Sequence, residues 1–172
     1  MADLQGYKLV NEESVSARTA TPSVAIGERR TQNGNDFMYV YNGSTNQIAD
    51  LGRGVKMASQ STGFTVDVDT DPATTITADI CVGVVQNATI ATGEYGWIMT
   101  RGHAINCANM LSAVVTGQAV YMTTSGAFRR TTAASSVPGQ GTKAQCGRAM
   151  TGPSAATTNT ATFDMWIEGR LA

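Results

Sequence analysis

Two segments in the second half of the chain constrain the fold most, because both are strand-like sequences divided by glycine. The first, GEYGWIMTRG, spans residues 93–102, and the second, GQAVYMTTSGAF, spans residues 117–128. In the first segment Tyr95, Trp97 and Met99 recur at every second position, so an extended chain places these large side chains on one face. A helix would distribute them around its circumference. The spacing therefore predicts a β-strand.

The second segment has the pattern of a β-hairpin. Val120 and Met122 alternate with Tyr121, and the alternation resumes at Phe128 after a short interruption. The interruption contains Ser125-Gly126, and glycine tolerates the positive φ that a tight turn requires. We therefore expect two antiparallel strands joined at this point.

The composition of the chain indicates one domain with an unusually uncharged surface. The chain has 172 residues, of which 15% are charged, compared with roughly 25% in typical soluble domains. Threonine, serine, asparagine, glutamine and glycine supply the remaining polarity, a bias found in proteins that pack against others in rigid assemblies and also in many secreted β-proteins. The net charge of −1 argues against nucleic-acid binding, which needs clustered basic residues.

The three cysteines, Cys81, Cys107 and Cys146, suggest neither a disulfide framework nor a zinc site. Their number is odd, and they are widely spaced without a C-x-x-C pair. We interpret them as buried small apolar residues of a protein made in a reducing cytoplasm. The sequence contains no apolar run of about 18 residues, and its first residues do not resemble a signal peptide, so we expect no membrane partner.

The first 26 residues differ from the rest and predict an extended N-terminal arm (residues 1–26). They mix charged and hydroxyl side chains with isolated apolar positions and end near a proline-containing breaker. Terminal arms become ordered when they lie along a neighbouring molecule. An ordinary first strand followed by a linker is the alternative. The candidate contact residues of the arm are Leu4, Tyr7, Leu9 and Val10.

Residues 27–172 read as a succession of short strands and turns that form one domain. Residues 32–36 contain the turn dipeptide Asn-Gly, and residues 37–41 are apolar on both alternating faces, which predicts a strand covered on two sides. Residues 63–69 alternate cleanly, and residues 80–85 are a β-branched run that Gly83 interrupts, as at a bend or bulge. The C-terminal residues alternate again, with Phe163, Met165 and Ile167 on the inner face. Residues 104–112 are a weak helix candidate.

This spacing of turn signals predicts an all-β fold, a single compact antiparallel barrel or sandwich that carries the arm. The aromatic residues of its strands are expected in the core or at an interface: Tyr95, Trp97, Tyr121, Phe128 and Trp166.

The sequence contains no pattern that predicts catalysis or cofactor binding. His103 is the only histidine, and Cys107 four residues later is not brought beside it by strand geometry. The spacing of Asp67, Asp69 and Asp71 matches the first positions of a calcium-binding loop. The sixth position of that motif requires glycine, but this chain has Pro72 there. No phosphate-binding glycine motif is present. We therefore expect no enzyme, no catalytic residue, no metal and no cofactor.

Four segments give the chain a resemblance to a known family. They are GVVQ at residues 83–86, ATGEYGWIMTRG at residues 91–102, VTGQAVY at residues 115–121 and CGRAM at residues 146–150, followed by an apolar terminal strand. In this half of the chain the sequence resembles the small capsid decoration, or cement, proteins of tailed bacteriophages. The N-terminal 62 residues match no pattern of that family.

The resemblance implies an all-β subunit of jelly-roll, β-tulip or other barrel form, usually a homotrimer. It would sit on the outside of the virion and clamp neighbouring subunits of the major capsid protein, which stabilises the mature shell. The competing hypothesis is a receptor-binding or glycan-binding module of the phage head or tail, in which Tyr95, Trp97 and Tyr121 form an aromatic sugar platform.

Overall fold

The computed structural model describes residues 19–22, 24–43, 49–57, 65–67, 81–109, 114–122, 126–130, 145–152 and 162–168. Within these ranges the regular secondary structure consists of strands, without a helix. In chain order the strands are β1 (Arg29–Gln32), β2 (Asn35–Asn42), β3 (Gly54–Met57), β4 (Thr65–Asp67), β5 (Cys81–Val84), β6 (Tyr95–Ala108), β7 (Ala119–Met122), β8 (Phe128–Arg130), β9 (Gly147–Ala149) and β10 (Thr162–Glu168).

The ten strands form one sheet in the order β1-β2-β4-β3-β5-β6-β10-β9-β7-β8. The paired strands are antiparallel except for β2 and β4, which run parallel. A further pairing of β2 with β6 folds the sheet back on itself, but the ten-stranded sheet is not closed into a barrel, since β1 and β8 lie at its ends. The prediction of an all-β, largely antiparallel fold is confirmed. A compact barrel or sandwich is not confirmed.

Strand β6 connects the two parts of the sheet and contains the first of the two segments that define the sequence. It has 14 residues. Its first half pairs with β2, with Trp97 opposite Tyr39, and its second half pairs with β10. Met99 lies between Phe37 of β2 and Val84 of β5. The prediction of a strand at residues 93–102 is confirmed, since β6 runs from residue 95 through residue 102, and residues 96–100 are buried.

Two hydrophobic clusters lie on opposite faces of β2 and β6. Met38 and Val40 of β2 and Ile98 of β6 belong to one cluster, which also contains Val55 of β3 and Val82 of β5. The intervening residues face the other cluster, which we call the larger core cluster. Its members on these two strands are Phe37, Tyr39, Trp97 and Met99. The prediction that residues 37–41 form a strand covered on two sides is confirmed, because residues 37–40 are all buried.

The first predicted turn and the second predicted hairpin both occur. Asn33 and Gly34 have φ values of 52° and 77°, and Gln32 pairs with Asn35 across them, which is the geometry of a two-residue hairpin turn with positive φ at both central residues. In the second hairpin Met122 pairs with Phe128, and Gly126 has a φ of 72°.

The predicted irregularity in the β-branched run and the predicted terminal strand are also confirmed. The register of β3 against β5 shifts between the pairs Val55–Gly83 and Lys56–Cys81, so β5 changes face beside Gly83. In β10 the side chains of Phe163, Met165 and Ile167 are buried.

The helix expected at residues 104–112 is wrong for its first part, because residues 104–108 continue β6. The backbone of this part pairs with β10 on one side, with Phe163 opposite Cys107. Sheet pairing of this kind outweighs a weak local preference. Residues 110–112 lie outside the described residues.

Most of the predicted N-terminal arm also lies outside the described residues. Its described end, residues 19–22 and 24–26, contacts the body of the protein. Thr19 and Tyr95 exchange two backbone hydrogen bonds, with N–O distances of 3.1 and 2.9 Å, and Val24 packs against the larger core cluster.

We predict that Gly52→Ala destabilises the fold far more than Gly34→Ala. Both glycines have positive φ, 75° and 77°, so both substitutions carry the same backbone strain of about 1–2 kcal/mol. A Cβ at Gly52 would lie 2.2 Å from the backbone oxygen of Asn106, whereas no atom lies within 4 Å of a Cβ at Gly34. Urea unfolding should show a loss at least about 2 kcal/mol larger for Gly52→Ala. Equal losses would contradict the described contact between residue 52 and β6.

Candidate functional site

A groove of about 560 Å³ opens beside the turn of the β1–β2 hairpin. Such a volume falls within the roughly 300–1,000 Å³ of small-molecule sites. Five side-chain amides line it, and we call it the amide groove. They come from the hairpin and from the segment that follows β5: Gln32, Asn33, Asn35, Gln86 and Asn87.

Two of these amides are held in place by backbone hydrogen bonds to β6. The Oδ1 atom of Asn35 accepts a bond of 3.0 Å from the backbone N–H of His103. The Gln86 side chain pairs with Ile105 in both directions, since its Oε1 accepts from the Ile105 N–H at 2.8 Å and its Nε2 donates to the Ile105 oxygen at 3.0 Å. The Gln86 side chain thereby acts as a hydrogen-bonding partner for the backbone of Ile105, and these bonds fix the orientations of both amides.

The apolar part of the groove has a buried floor and an exposed wall. Phe37 and Met99 line the floor and belong to the larger core cluster. Ile105 and Trp166 form the wall and are 51% and 40% exposed. Trp166 faces outward because its neighbours Met165 and Ile167 face the core.

Trp166 stands in a row of side chains that crosses three strands. It lies opposite His103 on β6 and opposite Arg148 on β9. Residues directly opposite one another in a sheet share a face, so the indole has one of these side chains on each side. The Nε atom of Arg148 is 3.3 Å from a carboxylate oxygen of Glu168. This ion pair directs the Arg148 guanidinium along β10.

His103 is the ionisable side chain among the described lining residues. Its Nε2 atom lies 3.7 Å from Oδ2 of Asp164, and the imidazole is 46% exposed. The other Asp164 oxygen accepts a bond of 3.0 Å from the backbone N–H of Asn106. The groove is therefore a largely neutral surface of amides, one imidazole and one indole, suited to hydrogen bonding and stacking.

The aromatic residues predicted from the sequence are distributed between the core and the surface. Trp97 and Phe128 are fully buried, whereas Trp166 is exposed. Tyr95 is half-buried against the larger cluster, and Tyr121 is half-buried on β7.

The sugar platform predicted around Trp97 is not formed at the surface. Trp97 is 2% exposed, with the Tyr39 ring centroid 5.1 Å from its own. The guanidinium of Arg30 lies 4.5 Å from the centre of the indole. Protein groups therefore occupy the surroundings of this ring, and a ligand could not stack on it.

The predicted contact residues of the arm, Leu4, Tyr7, Leu9 and Val10, lie outside the described residues. Asp69 and Asp71 of the calcium-like motif also lie outside them. In the described ranges there is no cluster of three or more histidine, cysteine or acidic side chains able to hold a metal. The same part of the chain has no helix long and apolar enough to cross a membrane.

His103 and Cys107 do not form a dyad. His103 faces the groove, whereas Cys107 is fully buried in the core cluster and donates a weak hydrogen bond to the Ala104 oxygen at 3.7 Å. Burial, followed by the nearby Asp164 carboxylate, raises the pKa of the Cys107 thiol to about 12. A thiol in this state is a poor nucleophile at neutral pH.

The other two cysteines, Cys81 and Cys146, meet in the core although they are distant in the sequence. A hydrogen bond between their side chains, together with burial, raises the pKa of the Cys81 thiol well above its usual value. The interpretation of the cysteines as small core residues agrees with the burial of Cys107 and Cys146 and the partial burial of Cys81.

The amide groove was not predicted from the sequence. Its amides lie at residues 32–35 and 86–87, which read as turn sequences, and Trp166 reads as the outward position of a strand. The sequence signal that could have indicated it is the recurrence of Asn and Gln residues next to two predicted strands, at residues 32–35 and 86–87, in a chain that has a single histidine.

Comparison with known proteins gives one structural similarity. No family model matches the chain, and no curated protein matches it in sequence. A solved structure with a similar fold is that of the N base of the head fiber protein gp8.5 of bacteriophage phi29, with a TM-score of 0.47 and 10% identity over 76% of this chain and 93% of that one. A similarity at this TM-score and identity does not show the function of the present chain.

We predict that Cys107 does not react with a thiol reagent in the native protein at pH 8. Its raised pKa of about 12 keeps the thiol protonated, so the Cys107 peptide should stay unlabelled until denaturant is added. Because the unfolded thiol loses its proton first, the free energy of unfolding should fall between about pH 9 and pH 12, by up to about 1.4 kcal/mol per pH unit. The Cys107→Ala variant should show a shallower fall. Rapid native labelling of Cys107 would contradict its described burial.

Proposed function

We propose that the chain is a structural protein of a bacteriophage particle, which binds the outside of the capsid and joins neighbouring subunits of the major capsid protein. The observation that carries this proposal is the contrast between the interior, where residues 37–40 of β2 and 96–100 of β6 are buried on both faces, and a surface with few charges and several exposed large apolar side chains. Exposed apolar groups on a weakly charged surface favour association with other proteins. The resemblance of residues 83–172 to capsid decoration proteins supports the same role.

The exposed apolar side chains lie mainly at loops and strand ends. They are between 40% and 53% exposed: Ile26, Leu51, Ile105, Val115, Met150 and Trp166. Val115 and Met150 belong to two loops that pack together, since the Gly117 N–H donates a bond of 2.7 Å to the Ala149 oxygen. A pair of this kind can anchor a protein interface when a partner covers it.

The proposed stabilisation works by linkage. If the protein binds the mature shell and not the dissociated subunits, its binding free energy is added to the stability of the assembled shell. A homotrimer would engage several capsid subunits at once, so modest individual contacts would give strong overall attachment.

We propose that the N-terminal arm adds to this attachment by lying along a neighbouring chain as an extra strand. Its isolated apolar residues Leu4, Tyr7, Leu9 and Val10 would provide the contact. Thr19, the first described residue, pairs through its backbone with Tyr95. This pairing with the core therefore lies C-terminal to the four proposed contact residues.

In this proposal the protein acts by binding alone. It is not an enzyme, it uses no cofactor or metal, and its partners are the major capsid protein and further copies of itself. It contacts neither nucleic acid nor a membrane, and it is made in the host cytoplasm before it joins the virion surface.

We predict that deleting residues 1–18 weakens attachment to the shell and leaves the core folded. The deletion removes all four proposed arm contacts and retains Thr19, which pairs with the core. Shells of the parent phage that lack the protein would be mixed with the full-length or the shortened chain and sedimented. We expect the apparent dissociation constant to rise by about tenfold or more, equivalent to at least about 1.4 kcal/mol.

A full-length variant with Leu4, Tyr7, Leu9 and Val10 changed to serine is the matched control for chain length. It should weaken attachment as the deletion does, and both proteins should unfold at the same urea concentration as the parent. Full attachment of both variants would refute the role of the arm, and failure of the full-length chain to bind any shell would refute the capsid proposal.

A further inference from the structure

We propose that the amide groove binds a neutral saccharide, with Trp166 as the stacking surface and the amides of the hairpin as hydrogen-bonding groups. This site differs from the platform predicted around Trp97, and it does not depend on attachment to a capsid.

The exposed indole of Trp166 provides the apolar contact that a sugar ring requires. One face of a pyranose carries mainly C–H groups, which pack against the negatively charged face of an aromatic ring. Trp166 is 40% exposed and stands on a strand between His103 and Arg148. The position of the indole is therefore fixed by the sheet.

The amide side chains that line the groove can pair with the hydroxyls of a sugar. Each amide side chain offers a donor and an acceptor in one plane, a spacing that suits two adjacent hydroxyl groups. Gln32, Asn33 and Asn87 also line the groove, and the Nδ2 group of Asn35 is not used in the bond that its Oδ1 accepts from His103.

The charge of the groove argues for a neutral ligand. Its described lining contains no lysine, arginine or acidic residue, and His103 has the Asp164 carboxylate 3.7 Å away. Phosphate and sulfate sites use arginine or lysine, and cation sites use carboxylates. The floor of Phe37 and Met99 adds apolar surface without charge.

The groove is also formed before any ligand binds. Asn35 and Gln86 are held by backbone bonds of 2.8–3.0 Å to β6, and the hairpin turn is a two-residue connection closed by the pairing of Gln32 with Asn35. Groups that are already oriented lose little conformational entropy on binding. A small open groove of this kind can therefore bind a disaccharide with a dissociation constant on the order of 1 mM.

The test is a titration of the full chain with maltose, lactose and N,N′-diacetylchitobiose, followed by amide NMR shifts and tryptophan fluorescence. We expect at least one sugar to give saturable shifts at residues 32–37, 86–87, 103–105 and 166. Trp166→Ala should weaken that binding by roughly tenfold. The matched control is Leu51→Ala, which removes another exposed apolar side chain outside the groove lining and should leave the affinity unchanged.

Two further probes test the predicted ligand class. Sialyllactose is lactose extended by a negatively charged sialic acid. Triglycine amide presents peptide groups instead of hydroxyls. Saturable binding of a neutral sugar at the groove supports the proposal. It is overturned if no neutral sugar saturates, if only sialyllactose or the peptide binds, or if the shifts map elsewhere. Because the NMR map uses the unaltered protein, the result stands even if Trp166→Ala fails to fold.

Discussion

The fold depends on the burial of β2 and β6 on both faces. Each large apolar side chain that leaves water stabilises the fold by roughly 1.5–3 kcal/mol, and these two strands supply members of both core clusters. A strand that is apolar on both sides has no polar face to fix its register. Close packing against glycine constrains it instead. A Cβ on Gly96 would lie 2.7 Å from the Ile90 side chain, and one on Gly83 would lie 2.7 Å from the Ile98 side chain and 2.8 Å from the Met99 backbone oxygen, so a larger residue at either position would force its neighbours to shift.

The features that the sequence predicts well are those fixed by neighbouring residues. The Asn33-Gly34 turn depends on two residues that accept positive φ, and β10 depends on strict alternation from Phe163 to Ile167. The features that escape prediction come from residues far apart. The parallel pairing of β2 with β4, the contact of Cys81 with Cys146 and the extension of β6 beyond Gly102 are decided by pairing partners, which a local pattern does not contain.

The amide groove could not be predicted for the same reason. Its polar groups come from a hairpin, a segment after β5, the middle of β6 and the outer face of β10, and no periodicity relates them. Gln86 shows the difficulty clearly. In the sequence it follows a strand as an ordinary polar residue, whereas in the fold its side chain takes the place of a backbone partner for Ile105.

The proposed capsid attachment and the proposed saccharide binding are related, because a particle would carry many copies of the protein. A protein displayed many times on a particle needs little affinity at each site, because once one copy has bound, the others face the same surface at high effective concentration. A shallow neutral groove would be ineffective on a single free molecule and effective on an array. Strand β10 contacts both surfaces, since it carries Trp166 and the backbone oxygen of its Asp164 accepts a bond of 2.7 Å from the N–H of exposed Met150. A rigid β10 would therefore hold the groove in a constant orientation relative to whatever covers Met150.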